Sequence, residues 1–489
     1  MIDRFRLVTL VAGMLLLASA CSDDFLDKRP LGQLTSDNFF TTEDHAVWAT
    51  NATYEQMRNF DNHVFSYLAL TDIISDDSDK GSTPSDGSFL NEIDNFTFDA
   101  SNITFGAVWK GYFRGIYRAN IALENIPNIE EMDEDLRTRL MGENYFLRAY
   151  HYFKLVRWFG DLPLIDRTLG NDEYEQERRP VAEIYVFIEE DLRRAQQQLP
   201  ARYFGENVGR ATSGAATGLL SKVYLTQEKW QQAADAASVV INSGNYALLD
   251  NYSDIFTVEG ENSSESVFEV QAAAFETGGG GTQYNEVQGV RGTPNLGWGF
   301  NRPSDDLVQA FEPGDPRREA TILYVGEVLP DGSAIVEDNP NIFNERYNQK
   351  AFVVAGPGGN GNGGGNIRVL RYADVLLIAA EALNELGRSE EALTYLNQVR
   401  ARARGMSNFI LPDIETTDQD ELRSIIWRER RAELAMEQQR WFDLVRQNRA
   451  ASVMQAVGKN FVENKHELLP IPQSEIDVSG GSLLQNPGY

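Results

Sequence analysis

The chain has 489 residues, with 44 Lys and Arg against 73 Asp and Glu, four His and one Cys, so its formal charge is −29. At 42% hydrophobic and 11% aromatic it has enough apolar material for a buried core and reads as globular. The acidic balance argues against a phosphate-neutralising nucleic-acid face, while one Cys and four scattered His exclude an intramolecular disulfide and argue against a zinc site.

At the N-terminus Arg4 and Arg6 precede a largely apolar run from Leu7 to Leu17, followed by the small residues Ala18, Ser19 and Ala20 and then Cys21. This pattern predicts an export signal over 1–20, cleaved directly before a cysteine that becomes lipidated, as in a bacterial lipobox. The apolar run is short of the roughly 20 residues a membrane-crossing helix requires, and no later stretch reaches that length without charges. The expected state is therefore a folded domain tethered by acyl chains on Cys21. Loss of 1–20 removes Asp3, Arg4 and Arg6, leaving 42 basic against 72 acidic residues. The acidity thus belongs to the mature chain, and the anchor is expected to be lipid rather than a polybasic patch.

Residues 21–40 read as a tether, with Phe39-Phe40 as apolar anchors after Pro30. Thr41 and Thr42 open a helical pattern carrying Ala46, Ala49, Met57 and Phe60, which ends near Asn62. Residues 75–102, rich in Asp, Ser and Gly, read as a long loop of the kind that often binds. Helical periodicity returns over Phe105–Ile126, Glu131–Phe159, Val181–Leu199 and Ser213–Thr226. The segment Lys229–Gly244 carries Ala233, Ala234, Ala236 and Ala237 on a close-packing face. The same design recurs as Tyr372–Leu386, Gly387, and Ser389–Arg404 with Ala392, Leu396 and Val399. Helix, short turn, helix with Ala at the contact is the logic of tetratricopeptide pairs. Between them, residues 249–369 read as a loop-rich insertion with a strand at Val267–Val270. A last long helix is expected over Glu421–Asn448. This divides the mature fold into a helical region at 41–248 and a second region at 249–489.

Catalytic motifs are scarce. Gly356 to Gly361 satisfies GxGxxG, but no helix opens on its last glycine and the run continues as Gly/Asn repeats. No P-loop, G-x-S-x-G elbow or H-E-x-x-H occurs, and His466-Glu467 runs into Pro470 instead of a second His. The loop Asp76-Asp77-Ser78-Asp79-Lys80-Gly81 places Gly81 sixth from Asp76, but Lys80 then occupies a ligand position and Gly87 stands where an EF-hand has Glu. No cofactor is expected, with an irregular calcium site there left open. A carboxylate pair for glycoside hydrolysis is a matter of three-dimensional separation, and the sequence does not settle it. Tyr145, Phe146, Tyr150, Tyr152, Phe153 and Trp158 share one helix and read as core. Phe89, Tyr284, Trp298 and Phe300 lie in polar or Gly-rich segments, where loop aromatics and a nearby amide such as Asn285 can stack on and hydrogen-bond a sugar or peptide.

Several blocks together resemble one family. They are Cys21-Ser22-Asp23-Asp24-Phe25-Leu26-Asp27, Arg148-Ala149-Tyr150 with Trp158-Phe159-Gly160-Asp161-Leu162-Pro163, and Gly209-Arg210-Ala211-Thr212. Further along come Arg371-Tyr372-Ala373-Asp374, Leu396-Asn397-Gln398-Val399-Arg400, Arg428-Glu429-Arg430 with Glu433, Glu437, Arg440, Asp443 and Arg446, and the closing Asn486-Pro487-Gly488-Tyr489. In order and spacing these resemble the SusD/RagB family of Bacteroidota surface lipoproteins. The resemblance implies a mainly α fold of tetratricopeptide-like helix pairs with irregular loops and a few short strands. It implies an outer-membrane, lipid-anchored, surface-exposed protein that caps a SusC-like TonB-dependent transporter and delivers an oligosaccharide to it without catalysis. A peptide ligand remains the alternative, with a glycoside hydrolase further behind. Ligand contacts are expected from loops 75–102 and 276–302, at Phe89, Tyr284, Asn285, Trp298 and Phe300. The charges of the last helices are expected to form buried ion pairs.

Overall fold

The computed structural model describes residues 39–275, 280–352 and 363–489. Cys21, the export signal, most of the tether and the GxGxxG run lie outside them. The chain begins with helix α1, Glu43–Met57, which Thr42 caps by accepting from the His45 amide. Two single-turn helices follow, α2 at Phe60–His63 and α3 at Phe65–Leu68, leading into a π-turn at Ala69–Ile73. The long helices are α5, Ile103–Asn125; α6, Glu134–Phe159; α7, Val181–Gln198; α8, Ser213–Thr226; and α9, Trp230–Asn242. A short helix, α4 at Phe89–Asn95, precedes them.

Local sequence accounts for most of these boundaries. Asn102, Asp133 and Thr212 each satisfy an otherwise unpaired first-turn amide of α5, α6 and α8. Gly160, with φ 72°, ends α6 where a side chain would be strained. Consecutive helices pack as antiparallel pairs, α5 on α6, α6 on α7, α7 on α8 and α8 on α9. Ala233, Ala234 and Ala237 are buried along α9, as the small-residue pattern predicts.

The second region restores the same stack after an irregular stretch. It contains α10, Tyr284–Gln288; α11, Asp305–Ala310; α12, Pro316–Thr321; and then the pair α13, Tyr372–Glu385, and α14, Ser389–Arg404. Helix α13 packs directly on α9, so the stack runs through both regions, and one large core takes residues from Met57 to Leu483. Helices α15, Gln419–Leu434; α16, Arg440–Arg446; α17, Ala450–Ala456; and α18, Gln473–Val478, complete the fold. The described strands form two-stranded antiparallel sheets: β1 (Ser78–Gly81) with β5 (Phe300–Pro303), β2 (Leu162–Pro163) with β3 (Arg178–Arg179), β4 (Ser266–Val270) with β8 (Ile367–Arg371), and β6 (Ile322–Tyr324) with β7 (Arg346–Asn348). The mainly α, tetratricopeptide-like architecture is therefore as expected.

Two expectations need correction. Residues 75–102 are not an open loop. They contain β1 and α4, and Asp76, Asp77, Ser78 and Lys80 are all buried. Their acidity is matched by distant arginines, Arg440 gripping Asp76 at 2.7 and 2.8 Å and Arg431 reaching Asp77 at 2.7 Å. Nor does Glu421–Asn448 form one helix. The chain breaks between α15 and α16, where Met436 and Gln438 adopt φ of 62° and 59°. The buried Asp72 carboxylate holds this turn, accepting from the Gln438 amide at 3.1 Å and from its side chain at 2.7 Å.

Candidate functional site

The pairing of β1 with β5 brings together two segments that the sequence keeps far apart. Its register sets Ser78 against Pro303, Asp79 against Arg302 and Gly81 against Phe300. Ser78 Oγ donates to Asn301 Oδ1 at 2.6 Å, and the Ser82 amide donates to the Gly299 carbonyl at 2.7 Å. Gly81, with φ 70°, has no room for a side chain, because a Cβ there would lie 2.5 Å from the Gly299 oxygen.

This junction carries a cluster of aromatic rings. Phe65 is central, with ring centroids 4.9 Å from Phe300, 5.8 Å from Phe89, 5.8 Å from Phe60 and 6.0 Å from Trp298. Trp298 also stands 6.4 Å from Phe60. Most of these pairs are edge-on or tilted, the geometry favoured by ring quadrupoles. Phe300 is buried beneath, Phe65, Phe89 and Trp298 are half-buried, and Phe60 is exposed. The cluster therefore presents an apolar face to solvent and is rooted in the core.

The backbone around Trp298 is tightly held. Its amide donates to the Glu286 carbonyl at 2.8 Å, and the Gly299 amide donates to the Gly289 carbonyl at 3.1 Å. At Gly297 a Cβ would overlap the Glu286 carbonyl oxygen, so a side chain is sterically blocked. Arg291 supplies a polar flank. Its guanidinium donates to Ser82 Oγ at 2.7 Å and pairs with the Asp86 carboxylate. The Asp86 carboxyl lies below its usual range, first because the Thr83 hydroxyl bonds its ionised form and then through Ser82 and Arg291. Beneath the face Lys80 lies 5.6 Å from the Phe300 ring centroid and donates to the Thr83 and Asp86 carbonyls at 2.8 and 2.9 Å.

Of the five candidate ligand residues, Phe89, Trp298 and Phe300 thus converge on one face. Tyr284 and Asn285 sit behind it on α10 and are buried. Tyr284 bonds the Gln438 side-chain amide, and Asn285 Nδ2 donates to the Ala351 carbonyl at 2.8 Å. Asn285 Oδ1 is buried without a hydrogen-bond partner among the described residues. Sequence reasoning missed Phe60, Phe65 and Arg291. Phe60 reads as the end of a helix and Phe65 lies beyond its expected end, and only the break after Met57 turns both toward Trp298.

The calcium alternative meets a different chemistry at Asp76 and Asp77. Burial works against ionisation of Asp76, but hydrogen bonds from Arg440 and the charges of Arg440 and Arg431 outweigh it and bring its carboxyl to about 2. Burial instead raises Asp77, despite Arg431. Asp79 pairs with Arg302 at 2.5 Å. These carboxylates are engaged by guanidinium groups, and the described residues contain no cluster of three His, Cys, Asp or Glu suited to a metal.

Comparison with known proteins agrees with this architecture. A family model described as "SusD family" matches residues 264–489, and one described as "Starch-binding associating with outer membrane" matches 24–225. The chain is similar to SusD-like protein P2 of Formosa agariphila, at 33% identity covering 97% of this chain and 98% of the relative. It is also similar to a SusD-like protein of Bacteroides ovatus, at 27% identity over 89% and 81% of the two chains. Among solved structures, a laminarin-binding SusD-like protein superposes with a TM-score of 0.80 at 32% identity, over 92% of this chain and all of that one. Surface glycan-binding protein A of Bacteroides thetaiotaomicron, in complex with laminarihexaose, gives 0.77 at 27% identity, over 91% of this chain and all of that one.

Proposed function

The chain belongs to the SusD family, and from that membership and the aromatic face we propose that it binds an oligosaccharide and passes it to a SusC-like TonB-dependent transporter. The observation that carries the reading is the convergence of Phe60, Phe65, Phe89 and Trp298 on a rigid junction beside the Arg291–Asp86 pair. Pyranose rings have apolar C–H faces that stack on aromatic side chains, while their hydroxyls exchange hydrogen bonds with flanking polar groups. A fixed backbone at Trp298 lowers the ordering cost on binding. In this reading Cys21 carries the lipid that holds the protein at the outer membrane, exposed at the cell surface, and the chain binds without cleaving.

Laminarihexaose, the ligand of one structural neighbour, is the first probe. Trp298→Ala should weaken its binding roughly three- to tenfold by calorimetry, the loss expected for one aromatic face, while the circular-dichroism melt stays close to that of the parent. A disrupted melt with unchanged affinity would make Trp298 a packing residue and remove the basis for the site. Binding of a mixed peptide library in place of glycans would favour a peptide ligand. Turnover of the hexasaccharide by mass spectrometry would make the protein a hydrolase. Co-purification of a large barrel protein after mild detergent extraction is the result expected for the transporter partner, and its repeated absence would count against delivery.

A further inference from the structure

A second concave region lies on α1, the 200–210 turn and the edge of β4. It consists of two adjoining cavities of about 320 and 260 Å³ that share Val208, Gly209 and Arg210 as a common wall. The larger meets the scale at which small-ligand pockets begin, about 300 Å³. Tyr203 and Tyr246 line the larger cavity and Tyr54 the smaller. Across them the side chains of Asn262 and Gln271 exchange amide hydrogen bonds at 2.9 and 3.0 Å, one residue facing each cavity.

The walls are rigid. Arg210 is spent on the scaffold, donating to the fully buried Glu143 at 2.8 Å, to Asn51 at 2.7 Å and to Asn207 at 2.9 Å. Gly209 has φ 92°, and a Cβ there would overlap the Gln271 side chain. Gly214 leaves the space that the Tyr246 ring fills, and the Tyr246 hydroxyl pairs with Thr212 Oγ1 at 3.0 Å. The Tyr54 hydroxyl accepts from the Ala211 amide at 3.0 Å. These tyrosine hydroxyls are anchored, so what the tyrosines offer a ligand is ring surface.

The cleft carries both signs of charge: Glu269 lines the larger cavity and Glu55 and Glu206 the smaller, but Glu269 accepts from Asn366 Nδ2 at 2.9 Å and Glu55 from Arg118 at 2.7 Å. Arg202 lines the larger cavity, is exposed, and spends its guanidinium on two neutral acceptors, Asn245 Oδ1 at 2.8 Å and the Gly244 carbonyl at 3.4 Å. At the far end of the smaller cavity Arg58 bonds the Gly280 carbonyl. Neither has a carboxylate partner among the described residues, whereas most of the described arginines do. Bonded to neutral acceptors only and exposed, the Arg202 guanidinium keeps its full charge and can exchange those bonds for a two-pronged contact with a carboxylate or sulfate, the short-range pairing that has to outweigh the net repulsion from a chain of charge −29.

We propose that this cleft is a second saccharide site, taking an oligosaccharide unit that carries a carboxylate or sulfate group, with Arg202 as its bidentate partner. The proposal rests on the saccharide-binding reading but not on the aromatic face. Arg58, which lines the smaller cavity, stands two residues before Phe60 of that face in the chain. A longer saccharide can occupy the Tyr246–Tyr203 cavity with its acidic unit and run past Gly209 and Tyr54.

The test is calorimetric titration of the mature chain with three probes: tetragalacturonate, a sulfated carrageenan tetrasaccharide and neutral laminarihexaose. At least one acidic probe is expected to bind. Arg202→Ala should weaken that binding about tenfold or more, as for loss of a charged hydrogen bond, and Arg202→Lys by less. Trp298→Ala should leave it within about twofold, and Arg202→Ala should leave laminarihexaose binding and the thermal melt unchanged. The two acidic probes separate carboxylate from sulfate recognition. Failure of both to bind overturns the proposal, as does binding that Trp298→Ala abolishes and Arg202→Ala leaves intact. Loss of laminarihexaose binding alone, with Arg202-dependent binding retained, would instead refute the aromatic face.

Discussion

His151 shows how one side chain can carry a pH response without any role in binding. It lies buried on α6 with neither ring nitrogen hydrogen-bonded among the described residues, and burial, reinforced by Arg118, pushes its imidazole down to about 3. The folded protein therefore keeps it neutral while the unfolded chain protonates it near 6.5. Between those values the unfolded state binds more protons, so this residue makes stability fall as pH drops, by up to about 1.4 kcal/mol per pH unit. His151→Leu should remove that slope. Urea melts at pH 5 and pH 7 should then differ less for the variant than for the parent, and equal differences would refute the assignment. Nothing in the sequence marks this residue apart from other histidines, because desolvation depends on neighbours supplied by α5.

At the scale of elements, the α5–α6 contact depends on Gly115. A Cβ at this position would overlap the His151 ring, so the two helices approach at a distance only glycine allows. Gly115→Ala should destabilise the fold by about 1–3 kcal/mol through overpacking, and His151→Ala in the same chain should recover part of that loss. Additive effects in denaturant titrations would show that the two positions are not in contact. The helices themselves were legible because their signals are local: Thr41 and Thr42 before α1, a glycine stop at Gly160, the alanine face of α9, and Ala392, Leu396 and Val399 on one face of α14. The aromatic face was half legible. Phe89, Trp298 and Phe300 stood out as loop aromatics, but Phe60 and Phe65 did not, since the bend after Met57 follows from packing on α5. The 75–102 segment misled for a similar reason. Its polar composition suggests solvent, whereas Arg431 and Arg440 lie hundreds of residues further along the chain.

Across the whole molecule, a buried charge network ties the insertion to the last helices. Arg371 donates to Glu265 at 2.6 Å, to Glu437 at 2.7 Å and to Glu433 at 3.1 Å, while Arg402 bonds Glu265 at 2.7 Å and also pairs with Glu433. Burial opposes ionisation of Glu433, but Arg402, Arg371 and Arg317 hold its carboxyl well below the usual range. Such networks are costly to break from one side, since the remaining charges are left without partners. Arg371→Met should cost about 3–5 kcal/mol, seen as a lowered denaturation midpoint or as loss of soluble protein. A midpoint within experimental error of the parent would show that the network contributes little. The ion pairing expected for Arg428, Glu429, Arg430, Glu437, Arg440, Asp443 and Arg446 is present for all but Arg428, which is exposed and has no ion pair among the described residues, and the partners come from α12, α14, α13 and β8 as much as from neighbouring turns.

The sequence by itself determined the helix pairs and the family, and it carries the pattern at Cys21 from which export and lipidation are expected, because each is written in spacing within a few residues or in the order of short blocks. Only the tertiary structure decided that β1 meets β5, that the aromatic rings of residues 60–65, 89 and 298–300 share one face, and that Arg202 and Arg58 line one cleft with neutral acceptors for partners. Those facts depend on contacts such as Ser78 with Asn301, 223 residues apart. Local periodicity carries no information about pairings at that range, and the balance of burial and charge settles them only once the whole chain has packed.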